Sequence, residues 1–137
     1  MAPFPRYSLD DLARRWGITP AEVAQFVAQA GATLKVCLAA EAPGVISRRY
    51  LDGTRHNPAW LTGNFLVLPS EIARIAAGDT LLSATRRPDP EPSMAYGDPR
   101  RPPVVGLRFD PPLEVRLDDL FVRAVDLERY ERVETAH

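Results

Sequence analysis

At 137 residues and 45% hydrophobic content, the chain can bury one respectable core, or two small ones sharing an interface, without covalent staples. Its single cysteine excludes an internal disulfide framework, and no apolar run reaches the length of a bilayer span. The net charge of −1 excludes a general polycation, but the charge is unevenly spread: four bases face four acids in residues 1–46, nine face seven in 47–110, and four face seven in 111–137.

The N-terminus, MAPFPRYS, has neither a basic stretch nor an apolar stretch of a leader, so a cytoplasmic location without membrane association is expected. Leu9 to Phe26, LDDLARRWGITPAEVAQF, then carries the pattern of two short helices crossing at a tight turn. Leu12, Ala13, Trp16, Ile18, Val23 and Phe26 are the positions such a pair must bury, and Gly17 sits where φ turns positive. Ser8-x-x-Asp11 and Thr19-Pro20-Ala21-Glu22 read as capping boxes at the two helix starts, and Ala30-Gly31 as the end of the second helix. The outward positions of that helix are read as Ala21, Glu22, Ala24, Gln25, Ala28 and Gln29, without a lysine or arginine.

Alternation predicts a strand over Thr33 to Leu38, a turn at Glu41-Ala42-Pro43-Gly44, and a return strand over Val45 to Leu51 lying at a sheet edge. A turn at Asn57-Pro58, an apolar segment at Trp60-Leu61 and a strand over Asn64 to Leu68 follow. A helix is expected from Pro69 to Ala77, ended by Gly78, and then a strand from Thr80 to Thr85. Residues 86–103 hold six prolines and no periodicity, which predicts a long loop between that strand and Val104 to Phe109. Past Pro111-Pro112 come strands at Leu113 to Leu117 and Leu120 to Val122, and a helix from Asp126 to Val133. Residues 65–75 and 120–130 share a strand-then-helix layout, an echo short enough for chance.

The run YSLDDLARRWGIT, Tyr7 to Thr19, the helix after it and the expected hairpin around Arg48 and Arg49 resemble the head of the mercury-resistance-regulator and excisionase group. The resemblance, over about the first fifty residues, implies a winged helix-turn-helix at 1–56; with the elements read after it, an α+β chain is expected, its residues 57–137 forming a small mixed β-sheet with two short helices. It implies a second helix in the major groove of double-stranded DNA. Arg14, Arg15, Arg48, Arg49 and Arg55 would then hold phosphates, and Thr19, Glu22, Gln25 and Gln29 would face base edges. A homodimer is expected because one short module supplies little affinity. The chain departs from the group in its charge-free second helix and in lacking a heptad run after the wing.

Two other classes stay open on the residues. A protein-interaction adaptor would use the alanine and glutamine face of the second helix, or the proline segment with its flanking Arg86-Arg87 and Arg100-Arg101 pairs. An enzyme would need Cys37 and His56 together, oriented by Asp52 or Asp79, whereas a lone cysteine on a strand ordinarily acts as a small buried hydrophobe. No Cys/His cluster has zinc-ligand spacing and no glycine-rich loop suits a nucleotide, so neither catalysis nor a cofactor is expected.

Overall fold

The computed structural model describes residues 6–30, 34–89 and 102–135. In chain order the elements are β1 (Arg6–Ser8), α1 (Leu9–Trp16), α2 (Pro20–Ala30), β2 (Val36–Tyr50), β3 (Gly53–Val67), α3 (Pro69–Ala76), β4 (Leu81–Thr85), β5 (Val104–Glu114), β6 (Leu120–Arg123) and α4 (Ala124–Thr135), with a 3-10 turn at Leu117–Asp119 before β6.

The helix starts follow their local chemistry. Ser8 Oγ accepts the Asp11 amide at 3.1 Å while the Asp11 carboxylate accepts the Ser8 amide at 3.0 Å, and Thr19 and Glu22 repeat this reciprocal pair at 3.2 Å each. Gly17, at φ +70°, ends α1 in the left-handed region, as its type and place require. The expected closure of α2 at Gly31 falls outside the described residues.

The sheet overturns the expected fold class. Instead of a winged helix-turn-helix followed by a small mixed sheet, the described residues build one antiparallel six-stranded sheet in the order β1-β6-β2-β5-β4, with β3 on the other side of β2. β1, immediately before the helix pair, joins β6 near the other end of the chain, Tyr7 opposite Val122. The supposed wing is one long hairpin whose two 15-residue strands run in register from Val36–Val67 to Tyr50–Gly53. β2 is central rather than an edge, and the 56/57 boundary falls within β3. A bridge between Leu66 and Arg86, with the Leu66 amide 2.7 Å from the Arg86 carbonyl, links β3 to the end of β4 and closes β3, β2, β5 and β4 into a small ring.

Prolines explain why the long strands read as broken ones. In β3 the Leu66 amide and the Thr62 and Asn64 carbonyls point away from β2, toward Arg86 and the Arg87 side chain. Pro58 has the same parity, so its missing N–H costs no ladder bond. In β2 the Arg49 amide turns to the β5 side, toward Pro103 O. Pro43 shares that parity and lies between Leu38, where pairing with β6 ends, and Gly44, where pairing with β5 begins. Pro111, joined to Asp110 by a cis bond, and Pro112 fall between the two runs of β4–β5 pairing, at Arg108 and Leu113.

One contiguous core connects the helix pair to the ring, from Leu12, Val23 and Val27 to Leu61, Phe65, Leu82 and Phe109. Two burial expectations are corrected on α2: Ala24 is fully buried, whereas Phe26 is 41% exposed. Phe26 instead meets Trp16 edge-on at 5.5 Å and Tyr130 of α4 at 6.2 Å, so three rings tie α1, α2 and α4 together at the surface. The strand-then-helix layout of residues 65–75 and 120–130 recurs as β3–α3 and β6–α4.

Candidate functional site

The nine residues expected to touch DNA fall into two groups. Arg14, Arg15, Thr19, Glu22, Gln25 and Gln29 lie on the helix pair; Arg48, Arg49 and Arg55 lie near the tip of the β2–β3 hairpin. Arg48 is eleven residues beyond Cys37, where β2 meets β6, which at the usual rise is roughly 35 Å of strand. Among the described residues no hydrogen bond, ion pair or shared cavity joins the two groups.

The helix group is largely occupied with itself. Arg14 pairs with Asp11 at 2.7 Å, and Arg15 grips Glu131 of α4 through two bonds of 2.6 and 3.0 Å. Those guanidinium bonds hold the Glu131 carboxyl below its ordinary range, and the Ser8 amide, then Arg14, do the same for Asp11. Exposed pairs of this kind add little to stability because solvent screens them, but each cancels a positive charge that a phosphate would otherwise meet. Glu22 and Thr19 bond to each other in the cap, the hydroxyl donating to the carboxylate at 3.0 Å. Gln25 and Gln29 remain exposed on α2.

The hairpin group and its neighbours differ in charge balance. Arg55 pairs with Asp52 at 3.1 Å and lies over the Tyr50 ring at 4.3 Å. Arg48, Arg49, Arg86, Arg87 and Arg108, by contrast, have no carboxylate partner among the described residues. Arg48 donates to the Pro102 carbonyl at 2.9 Å, and Arg87 to the carbonyls of Thr62 and Asn64 at 2.9 and 3.3 Å. Carbonyls orient a guanidinium without cancelling its charge. The five arginines sit on β2, β5 and the segment after β4, neighbouring parts of one ring. The arginine pair at 86–87 was legible as a flank of the proline loop, whereas Arg108, in an ordinary strand pattern, carried no signal of its own. Arg100 and Arg101 fall outside the described residues.

The residues of the enzyme reading are not brought together. Cys37 is buried opposite Leu66, ten positions along β3 from His56, which instead shares a 2.6 Å hydrogen bond with Ser47 Oγ on the exposed hairpin. Asp52 is held by Arg55 and Asp79 by Arg74. Burial pushes the Cys37 thiol up to about 11. Alkylation of the folded protein by iodoacetamide at neutral pH is therefore expected to run at least about tenfold slower than that of the unfolded chain. Equal rates would mean an accessible thiol.

Among the described residues no group of three or more His, Cys, Asp or Glu could hold a metal ion, and no helix is long and apolar enough to cross a membrane. Compared with protein-family models, with curated proteins and with solved structures, the chain matches none.

Proposed function

We propose that this is a cytoplasmic, non-catalytic DNA-binding accessory factor that holds the phosphate backbone of duplex DNA with arginines of its ring. The observation that carries the reading is the sorting of charge among the described residues: Arg14 and Arg15 are tied to acids, whereas Arg48, Arg49, Arg86, Arg87 and Arg108 have no acid partner there. Phosphate neutralisation supplies most non-specific affinity, and it needs cations that are not already neutralised. Gln25 and Gln29, exposed one helical turn apart on α2, are the groups left to read adenine edges, and a homodimer would double both sets of contacts.

The test is fluorescence anisotropy on a labelled duplex over a series of salt concentrations. Replacing Arg48, Arg49 and Arg108 together by alanine is expected to weaken binding to every sequence and to flatten the slope of log K against log salt, by about 0.9 for each phosphate no longer neutralised. Replacing Arg14 and Arg15 should leave the slope close to that of the parent. A parent protein that fails to bind at low salt sinks the proposal; a larger effect from the helix pair would move the DNA-facing surface to α1.

The second reading, a protein-interaction adaptor, is favoured by one observation: α2 bears no basic residue, and beside it Phe26, Trp16 and Tyr130 form a part-exposed aromatic patch. It becomes the leading reading if the parent does not bind DNA.

A further inference from the structure

Where the segment after β4 passes the start of β5, the ring opens into a cavity of about 450 Å³. Its lining combines Ile46, Leu107 and Val104 with Arg48, Arg86 and Arg87. The volume falls within the roughly 300–1,000 Å³ of small-molecule sites, and the mouths of barrels are a common place for them. Apolar walls with a few convergent polar groups are the usual composition of such a site.

The three arginines are prepared for an oxyanion. Arg87 spends one terminal nitrogen on two edge carbonyls of β3, and its guanidinium lies 4.5 Å from the Phe65 ring centre. Arg48 spends one terminal nitrogen on Pro102 O. Both are held in place by backbone yet keep most of their five N–H donors and their whole charge. Arg86 has neither a side-chain hydrogen bond nor an ion pair among the described residues. Among the described lining residues the one acid, Asp89, is already committed: Arg123 binds it at 2.7 and 3.1 Å, and Lys35 stands 3.7 Å away. Net positive charge and forked donors therefore converge on a space walled by aliphatic side chains.

We propose that this cavity binds a small phosphomonoester whose body is flat or apolar, of the size of a nucleoside monophosphate. The phosphate sits among Arg48, Arg86 and Arg87, where charge-assisted bonds form in pairs, and the body lies against Ile46, Val104 and Leu107. The inference does not rest on DNA being the partner of the exposed arginines.

Isothermal titration of the full chain with AMP, adenosine and inorganic phosphate tests it. One AMP per chain is expected, with adenosine and phosphate each at least about tenfold weaker because each lacks one half of the recognition. Arg86→Gln should weaken AMP about tenfold or more, since it removes a charged donor whose side chain bonds to nothing else among the described residues; Arg14→Gln should titrate as the parent. Arg86 is chosen over Arg87 because Arg87 also secures the edge of β3. Equal binding of AMP and adenosine, no saturable heat with AMP, or an unchanged Arg86→Gln variant would overturn the proposal. Arg49→Ala with Arg108→Ala, which removes arginines outside the cavity lining, should titrate AMP as the parent while flattening the salt slope of DNA binding; an equal loss of AMP binding would overturn the separate site.

Discussion

Phe65→Ala is expected to lower unfolding stability by about 4 kcal/mol, the largest loss from any single truncation in the ring. Phe65 is fully buried, with its ring 5.1 Å from that of Phe109 and tilted 72° to it, the edge-to-face contact that adds to area burial. It lies opposite Leu38 in the β2–β3 ladder, and Phe109 belongs to β5 on the far flank of β2, so the pair ties three strands of the ring across its interior. Alanine would leave a cavity that rigid strands collapse poorly, and would also remove the ring beneath the Arg87 guanidinium. Urea unfolding followed by tryptophan fluorescence measures the effect, as a shift of the midpoint at unchanged slope. A loss under about 1 kcal/mol would mean that the two rings do not pack together in the folded protein.

What could be read in the sequence was the part of the fold that is local. Capping boxes, the left-handed Gly17, the span of α3 and the strands at 80–85 and 104–109 are each set by residues near one another, or by a simple period. What could not be read depends on partners far along the chain. Pro43 and Pro58 signal breaks in isolation and are harmless in β2 and β3 only because of which neighbour each backbone position faces. Phe26 looks like a core residue until Tyr130 supplies its other contact. The candidate site shows the same division. The hairpin arginines were visible as residues, but the neutralisation of Arg15 by Glu131, 116 positions away, was not. That ion pair changes which surface is electrically available to an anion.

Gly44→Ala is expected to cost about 3 kcal/mol, although alanine is otherwise the mildest replacement for glycine in a strand. Gly44 has no positive φ, so the backbone would accept a side chain; the obstacle is steric. A methyl group there would run into the Arg108 carbonyl oxygen on β5 and the Leu61 side chain on β3. Leu61 could rotate into a poorer rotamer, but the carbonyl is fixed in the neighbouring strand, which must move away from β2. This is also where β2 passes from β6 to β5, so displacement of β5 would loosen the ring beside Phe109. Gly17→Ala offers the contrast: nothing lies within 4 Å of its added methyl, and only the left-handed backbone resists it, for about 1–2 kcal/mol. Chemical denaturation of both variants, with hydrogen exchange on the β5 amides from Val105 to Phe109, distinguishes the two mechanisms. Gly44→Ala should speed exchange in β5 and Gly17→Ala should not. A Gly44→Ala protein as stable as the parent would show that β5 does not approach β2 this closely.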